Sequence, residues 1–250
     1  MVLEYELNLS ATEFLYFLDC PQKFRLYRIL NPLPNKDDFM NSRRSLSSYE
    51  MRGYQGKKDD GIKYHHFFEK FHKKYAKVIH QTVPPEEISE DSIKLLYWIN
   101  QQEKYIAAKD DCYWYPVERE VRLMTEKKRG QIDCIEFCED KFGLRLIDYK
   151  PNPEPNDQLL LLFYATLYNE YQLENPNKDG LNYEVLEVGC YYYEMGIKEI
   201  FDLIEVNKKT FDSFFKEILE KIANNKFFIK KSSCWNCNYK YACNIEQRRS

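Results

Sequence analysis

Asp133, Asp148 and Lys150 place two hard oxygen ligands and an ammonium within eighteen residues, and Cys20, Cys234, Cys237 and Cys243 place four thiols at the two far ends of the chain. Carboxylates suit Mg²⁺ or Mn²⁺, which keep several waters and complete their shells with phosphate oxygens. An ammonium beside such a pair orients a water or stabilises negative charge as it develops. The same three residues also make sense as a salt-bridge cluster at a sheet edge, and spacing alone does not choose between the two. Cys234, Cys237 and Cys243 fall within ten residues, beside Trp235, Tyr239 and Tyr241, too close and too regular for three casual core thiols. They are expected to share one metal centre. Zn²⁺ takes four thiolates at about 2.3 Å and an iron–sulfur cluster is also held by thiolates, so ligand type leaves both open.

The elements that must position these groups are legible in the hydrophobic pattern. Between Pro116 and Lys150 the apolar residues alternate: Val117, Val121 and Leu123, then Ile135 and Phe137, then Leu144 and Leu146, with breaks at Gly130 and at 139–143. That period of two predicts three strands joined by hairpins. A turn centred on Asp140 and Lys141 sets Phe137 opposite Leu144 and therefore Asp133 opposite Asp148. Like charges facing each other across an antiparallel pair, about 4.5–5.5 Å apart at Cβ, destabilise a sheet unless something neutralises them. A divalent cation would do so. Lys150, two residues on, points to the same face as Asp148.

Around this centre, Ser10-Ala11-Thr12-Glu13 has the capping-box spacing and opens an amphipathic helix that runs through Phe14 and Leu18 to Cys20-Pro21. Residues 31–58, with Pro32, Pro34, four serines, Gly53 and Gly56, read as a long irregular connection and a candidate cover over the site. Helices are expected from Gly61 to about His80, Glu86 to Ala108, about Asp157 to Tyr171, and Lys208 to Ala223, with strands at Val185–Tyr193 and near Glu199–Val206. That order predicts a single α/β domain over residues 1–250, a mixed sheet core flanked by helices.

Composition sets the outer bounds. An apolar share of 44% with 16% aromatic residues is ample for a packed core, and a net charge of −3 excludes a protein that coats nucleic acid by bulk electrostatics. Nucleic-acid contact must then be local, with Lys63, Lys70, Lys73, Lys74 and Lys77 on one helix and Lys127, Lys128 and Arg129 before Gly130 as candidates. A lysine-rich helix also serves as a plain solvated face. No run approaches the roughly 18 apolar residues of a membrane span, and no export pattern opens the chain, so a cytoplasmic protein with no membrane partner is expected. In that reducing setting the ungrouped Cys112, Cys134, Cys138 and Cys190 read as small buried hydrophobes.

Leu9-Ser10 with Cys20-Pro21, Gly61-Ile62-Lys63-Tyr64-His65, Gly130-Gln131-Ile132-Asp133, Ile147-Asp148-Tyr149-Lys150 and Cys234-x2-Cys237-x5-Cys243 occur in that order across most of the chain. Each is weak alone, but as an ordered set they resemble the PD-(D/E)XK nuclease superfamily, in its RecB-like branch with a C-terminal iron–sulfur cluster. The resemblance implies a restriction-endonuclease-like fold and cleavage of DNA, single-stranded or with free ends. It implies that Asp133, Asp148 and the backbone carbonyl of Tyr149 hold Mg²⁺ or Mn²⁺, that His65 is a further ligand, and that Lys150 is catalytic. It favours a [4Fe–4S] cluster over zinc on Cys20, Cys234, Cys237 and Cys243, joining residues 1–30 to residues 224–250. Without it His65, with His66, His72 and His80 nearby, reads as a helix histidine making one hydrogen bond.

Within that branch the chain is similar to the CRISPR-associated exonuclease family of spacer acquisition (Cas-four), which implies partners in that machinery. A RecB-like repair nuclease working with a helicase, and a DNA-binding or scaffold subunit with a vestigial site, are the other readings. The branch usually carries a Gln followed four residues later by Tyr on the helix after the lysine strand. Here Gln158 and Tyr164 are six apart, and Leu160 stands four before Tyr164. Either Gln158 contacts substrate from a shifted helix start or that contact is lost. Glu118, a possible extra carboxylate, stays outside the assignment because with Glu120 and Arg122 it shares a face that reads as solvent-facing.

Overall fold

The computed structural model describes residues 8–30, 55–108, 114–138, 140–176, 183–234, 237, 239 and 243. The proposed cover at 31–54 and Cys112 lie outside the described residues. A mixed sheet is built from β1 (Leu9–Ser10), β2 (Glu118–Met124), β3 (Lys128–Cys138), β4 (Gly143–Lys150), β5 (Val185–Tyr192) and β6 (Ile197–Asp202). Its helices are α1 (Ala11–Asp19), α2 (Pro21–Leu30), α3 (Gln55–Tyr75), α4 (Glu86–Ser89), α5 (Ser92–Ala107), α6 (Asp157–Glu174) and α7 (Glu205–Ala223). The α/β architecture, a mixed sheet between helices, is the one the pattern predicts.

Alternation along β4 divides the molecule into two layers. Leu144 and Leu146 face a core with Phe14 of α1, Phe163 of α6, and Phe211 and Phe215 of α7, whereas Ile147 and Tyr149 face an aromatic core with Phe68 and Phe71 of α3 and Tyr97 and Trp98 of α5. In the second layer Phe68 stacks on Tyr97 with ring centroids 4.3 Å apart, and Tyr149 meets Phe68 edge-on at 4.9 Å. Such pairs add about 0.5–1.5 kcal/mol each beyond area burial. Cys134, Cys138 and Cys190 are buried free thiols, as expected of them.

The capping box forms: the Ser10 hydroxyl accepts from Glu13 N–H at 3.2 Å, and the Glu13 carboxylate accepts from Ser10 N–H at 2.7 Å. Glu13 also pairs with Arg28 at 2.5 Å and Arg129 at 2.8 Å, which ties α1 and α2 to β3. Arg129 and Lys128 are therefore not available to phosphate, contrary to the expectation for that cluster: both are buried, and Lys128 pairs with Glu170 of α6 at 2.5 Å. Several boundaries also differ: the helix expected to reach His80 ends at Tyr75, and the strand expected to reach Val206 ends at Asp202, before a helix that starts at Glu205. Asp91 caps α5 with its side chain and splits the expected 86–108 helix; residues 55–58 already belong to α3; and β6 begins at Ile197.

The path of β3 creates the functional region. Antiparallel β2 runs along one edge of β3 from Arg129 to Ile135, so both of its other partners must share the opposite edge. Antiparallel β4 pairs there with residues 134–138, and parallel β1 pairs with residues 128 and 129. Between them β4 departs and the sheet forks, with Asp133 at the fork.

Candidate active site

The hairpin register is the one the turn predicts, with Phe137 opposite Leu144 and Cys134 opposite Ile147. One step further the ladder opens. Asp133 takes over with its side chain, its Oδ2 accepting the Tyr149 N–H at 2.8 Å. This fixes the carboxylate against the strand that carries Asp148 and Lys150. His65, from α3, approaches Asp133 on its other oxygen, with Nδ1 3.3 Å from Oδ1. Its ring meets Tyr149 edge-on at 5.7 Å, so the aromatic layer holds the imidazole in place.

Glu120 is the residue that the sequence reading passed over. In β2 it adopts φ of 54°, a left-handed conformation rare for any residue but glycine, and pairing with β3 steps from Arg119↔Cys134 to Val121↔Ile132 around it. Such strain costs on the order of 1–3 kcal/mol and is usually found at functional sites. Gln131 donates its side-chain amide to the Glu120 carboxylate, and Arg122 donates to Gln131 at 3.1 Å. Ligand atoms of His65, Glu120 and Asp133 all lie within 4.8 Å of one another, a donor set fit for a divalent cation. Glu118, by contrast, is exposed.

Asp148 lies beside this group in a buried setting. Burial and the neighbouring Asp133 push its carboxyl up to about 8. Without a cation it therefore holds a proton at neutral pH. Lys150 is mostly buried too; burial opposes its charge, yet Asp148, Asp157 and Glu154 more than offset this and hold its pKa above the ordinary lysine value. Tyr164 of α6 flanks the carboxylates, and burial together with Asp148 and Asp133 raises its phenol well above the usual value. Gly130 makes this approach possible: a Cβ there would lie 3.0 Å from the rings and methyls of Tyr164 and Leu167.

The terminal cysteines also come together. Cys20 stands between α1 and α2, its N–H donating to Tyr16 O at 2.9 Å and its carbonyl accepting Phe24 N–H at 3.2 Å. The C-terminal segment docks on this corner, with Lys230 N–H 3.4 Å from the Cys20 sulfur and Ser233 Oγ donating to Asp19 O at 2.8 Å. Cys20, Cys234, Cys237 and Cys243 line one cavity with Lys23, Lys231 and Tyr239.

A family model for the PD-(D/E)XK nuclease superfamily matches residues 8–244. The chain belongs to that superfamily. No curated protein matches the chain. Membership makes the protein a nuclease acting on nucleic acid, and superfamily members use divalent metals, in keeping with the donors at the fork. Among the described residues no helix is long and apolar enough to cross a membrane.

Of the residues singled out by sequence, the structure of this PD-(D/E)XK protein gathers His65, Asp133, Asp148, Lys150 and Tyr164 at the fork. Gln158 is exposed. Six helical positions before Tyr164 it falls on another face of α6, whereas Asp157, seven positions before, shares the Tyr164 face. Leu160 is buried core. Lys63, Lys70, Lys73 and Lys74 of α3 and Lys77 in the turn after it are all exposed. Lys63 and Lys74 pair with Asp91 and Glu87, at 3.2 and 2.8 Å, and Lys70 contacts His66 at 2.7 Å, whereas Lys73 and Lys77 make no ion pair among the described residues.

Proposed function

We propose that the protein is a Mg²⁺- or Mn²⁺-dependent deoxyribonuclease acting on single-stranded or frayed DNA ends and carrying a [4Fe–4S] cluster. One observation carries the first part: His65, Glu120 and Asp133 bring their ligand atoms together where the sheet forks, and Asp148, with Lys150 3.9 Å from it, lies close enough for its charge to interact with Asp133 and His65. His65, Asp133, Asp148 and the Tyr149 carbonyl would hold the cation, with Glu120 as an added ligand. When bound, the cation supplies charge neutralisation and Lewis-acid polarisation of the phosphodiester. Asp133 keeps its orientation by accepting the Tyr149 N–H. Lys150 donates to the oxygen on which negative charge grows, in a site dry enough for that contact to count. Tyr164, beside the carboxylates, offers a hydroxyl to the DNA strand, and exposed Lys70 and Lys73 offer charge to its phosphates.

Cys20, Cys234, Cys237 and Cys243 face one shared cavity, which supports a common metal centre on these thiols. The resemblance favours a [4Fe–4S] cluster there over zinc. A cluster there supplies a staple between residues 1–30 and 224–250, closing a loop of more than 200 residues. The resemblance to the CRISPR-associated exonucleases supports a place beside the spacer-acquisition proteins.

Anaerobically purified protein with end-labelled single-stranded DNA tests the reading. Mn²⁺-dependent release of label, abolished by a chelator and by Asp133→Asn, is expected. Cleavage that persists in Asp133→Asn would place the chemistry elsewhere.

A further inference from the structure

Lys150 is held by a carboxylate outside the group assigned to the cation. Its ammonium lies 2.6 Å from Asp157 Oδ1, against 3.9 Å from Asp148 and 3.6 Å from the exposed Glu154. Asp157 is the first residue of α6 and is almost fully buried. A helix N-terminus favours negative charge there. Its second oxygen, Oδ2, is fixed from two directions: the Tyr192 hydroxyl donates to it at 3.0 Å and the Glu154 N–H at 2.7 Å. Tyr192 and Lys150 are themselves partners across β4 and β5. Helix α6 and two neighbouring strands therefore lock one carboxylate, and that carboxylate holds the lysine.

We propose that Asp157, braced by Tyr192, is a positioning residue that keeps the Lys150 ammonium off Asp148 and so leaves Asp148 free for a cation. The proposal rests on the nuclease reading above and deepens it. A buried ammonium must have a partner. Without the charge on Asp157, the nearest buried carboxylate is Asp148, one short swing of the lysine side chain away. A lysine–aspartate pair formed there competes with a divalent cation for the same oxygens. Asp157 thus acts on the metal site only through Lys150, and this separates it from a residue that merely supports the fold.

Mn²⁺ binding to the full chain, followed by titration calorimetry, tests the proposal with a double substitution. Asp157→Asn preserves shape and an acceptor for Tyr192 and the Glu154 N–H. It is expected to weaken Mn²⁺ binding about tenfold or more, the range seen when groups just behind a metal's ligands are removed. Asp157→Asn combined with Lys150→Ala should bind within about twofold of Lys150→Ala alone, because the competing ammonium is gone. Tyr192→Phe, which leaves the charge pair but loosens it, should move binding in the same direction by a smaller factor. A folded Asp157→Asn protein that binds Mn²⁺ like wild type overturns the proposal, and so does a loss that persists in the double variant. DNA cleavage by the same samples separates the two claims. The expected binding pattern without any cleavage removes the nuclease reading and keeps the positioning role, whereas wild type that binds no Mn²⁺ overturns both.

Discussion

Replacing Asp148 with Asn should make metal-free protein more stable, by an amount that grows with pH. In the folded chain burial and Asp133 push the Asp148 carboxyl up to about 8, from an ordinary value of 3.8. Between those values the folded state holds a proton that the unfolded chain has lost, so stability falls as pH rises, by about 1.4 kcal/mol per unit. From pH 6 to pH 8 the slope flattens as the folded carboxyl begins to ionise, and the loss through this group comes to about 2 kcal/mol. Asp148→Asn has no such proton, so its stability relative to wild type should rise by that amount. Guanidinium unfolding in chelator at both pH values measures the difference. The same proton must leave when a cation binds, so Mn²⁺ affinity should climb close to tenfold per unit below pH 8. A stability difference that is equal at pH 6 and pH 8 would refute the idea that burial and Asp133 keep this carboxyl protonated.

Three further outcomes follow from other parts of the structure. Cys20→Ser should lose the visible absorbance of an iron–sulfur cluster and about 2–4 kcal/mol of stability, read by anaerobic spectra and melting, because it opens the tie between the chain ends. Gly130→Ala places a methyl 3.0 Å from Tyr164 and Leu167 and should cost about 1–3 kcal/mol by denaturant unfolding. His72 is buried, donates from Nε2 to Gln101 Oε1 at 3.1 Å and accepts from Arg119 at Nδ1; burial, then Arg119, lower it to about 3. Its contribution is present above pH 6.5 and is lost as pH falls, so wild type should lose about 2 kcal/mol more than His72→Gln between pH 6.5 and pH 5.

What the sequence showed of the site depended on whether regular geometry held. The β3–β4 register was legible because alternation and a short turn leave one pairing that buries Ile135, Leu144 and Leu146 together. The capping box was legible because it is local. Glu120 was missed because strict alternation places it with Glu118 and Arg122, whereas its positive φ breaks that rule. The signal was present nevertheless: the pairing that sets Arg119 against Cys134 and Val121 against Ile132 brings Glu120 beside Asp133, a third like charge in the row. Asp157 stood at the start of a predicted helix, but nothing local reveals that its partner is Lys150. Lys128 and Arg129 were read by charge alone, and burial against Glu170 and Glu13 decided their fate instead.

Release of label from end-labelled single-stranded DNA by anaerobically purified protein, wild type against Lys150→Ala with Mn²⁺, decides whether the fork is a working metal-dependent nuclease site. Mn²⁺-dependent hydrolysis that falls about a hundredfold or more in a folded Lys150→Ala protein is expected. Equal rates in the two proteins, or no cleavage by folded, cluster-loaded wild type on single-stranded, duplex and splayed DNA, would contradict that assignment.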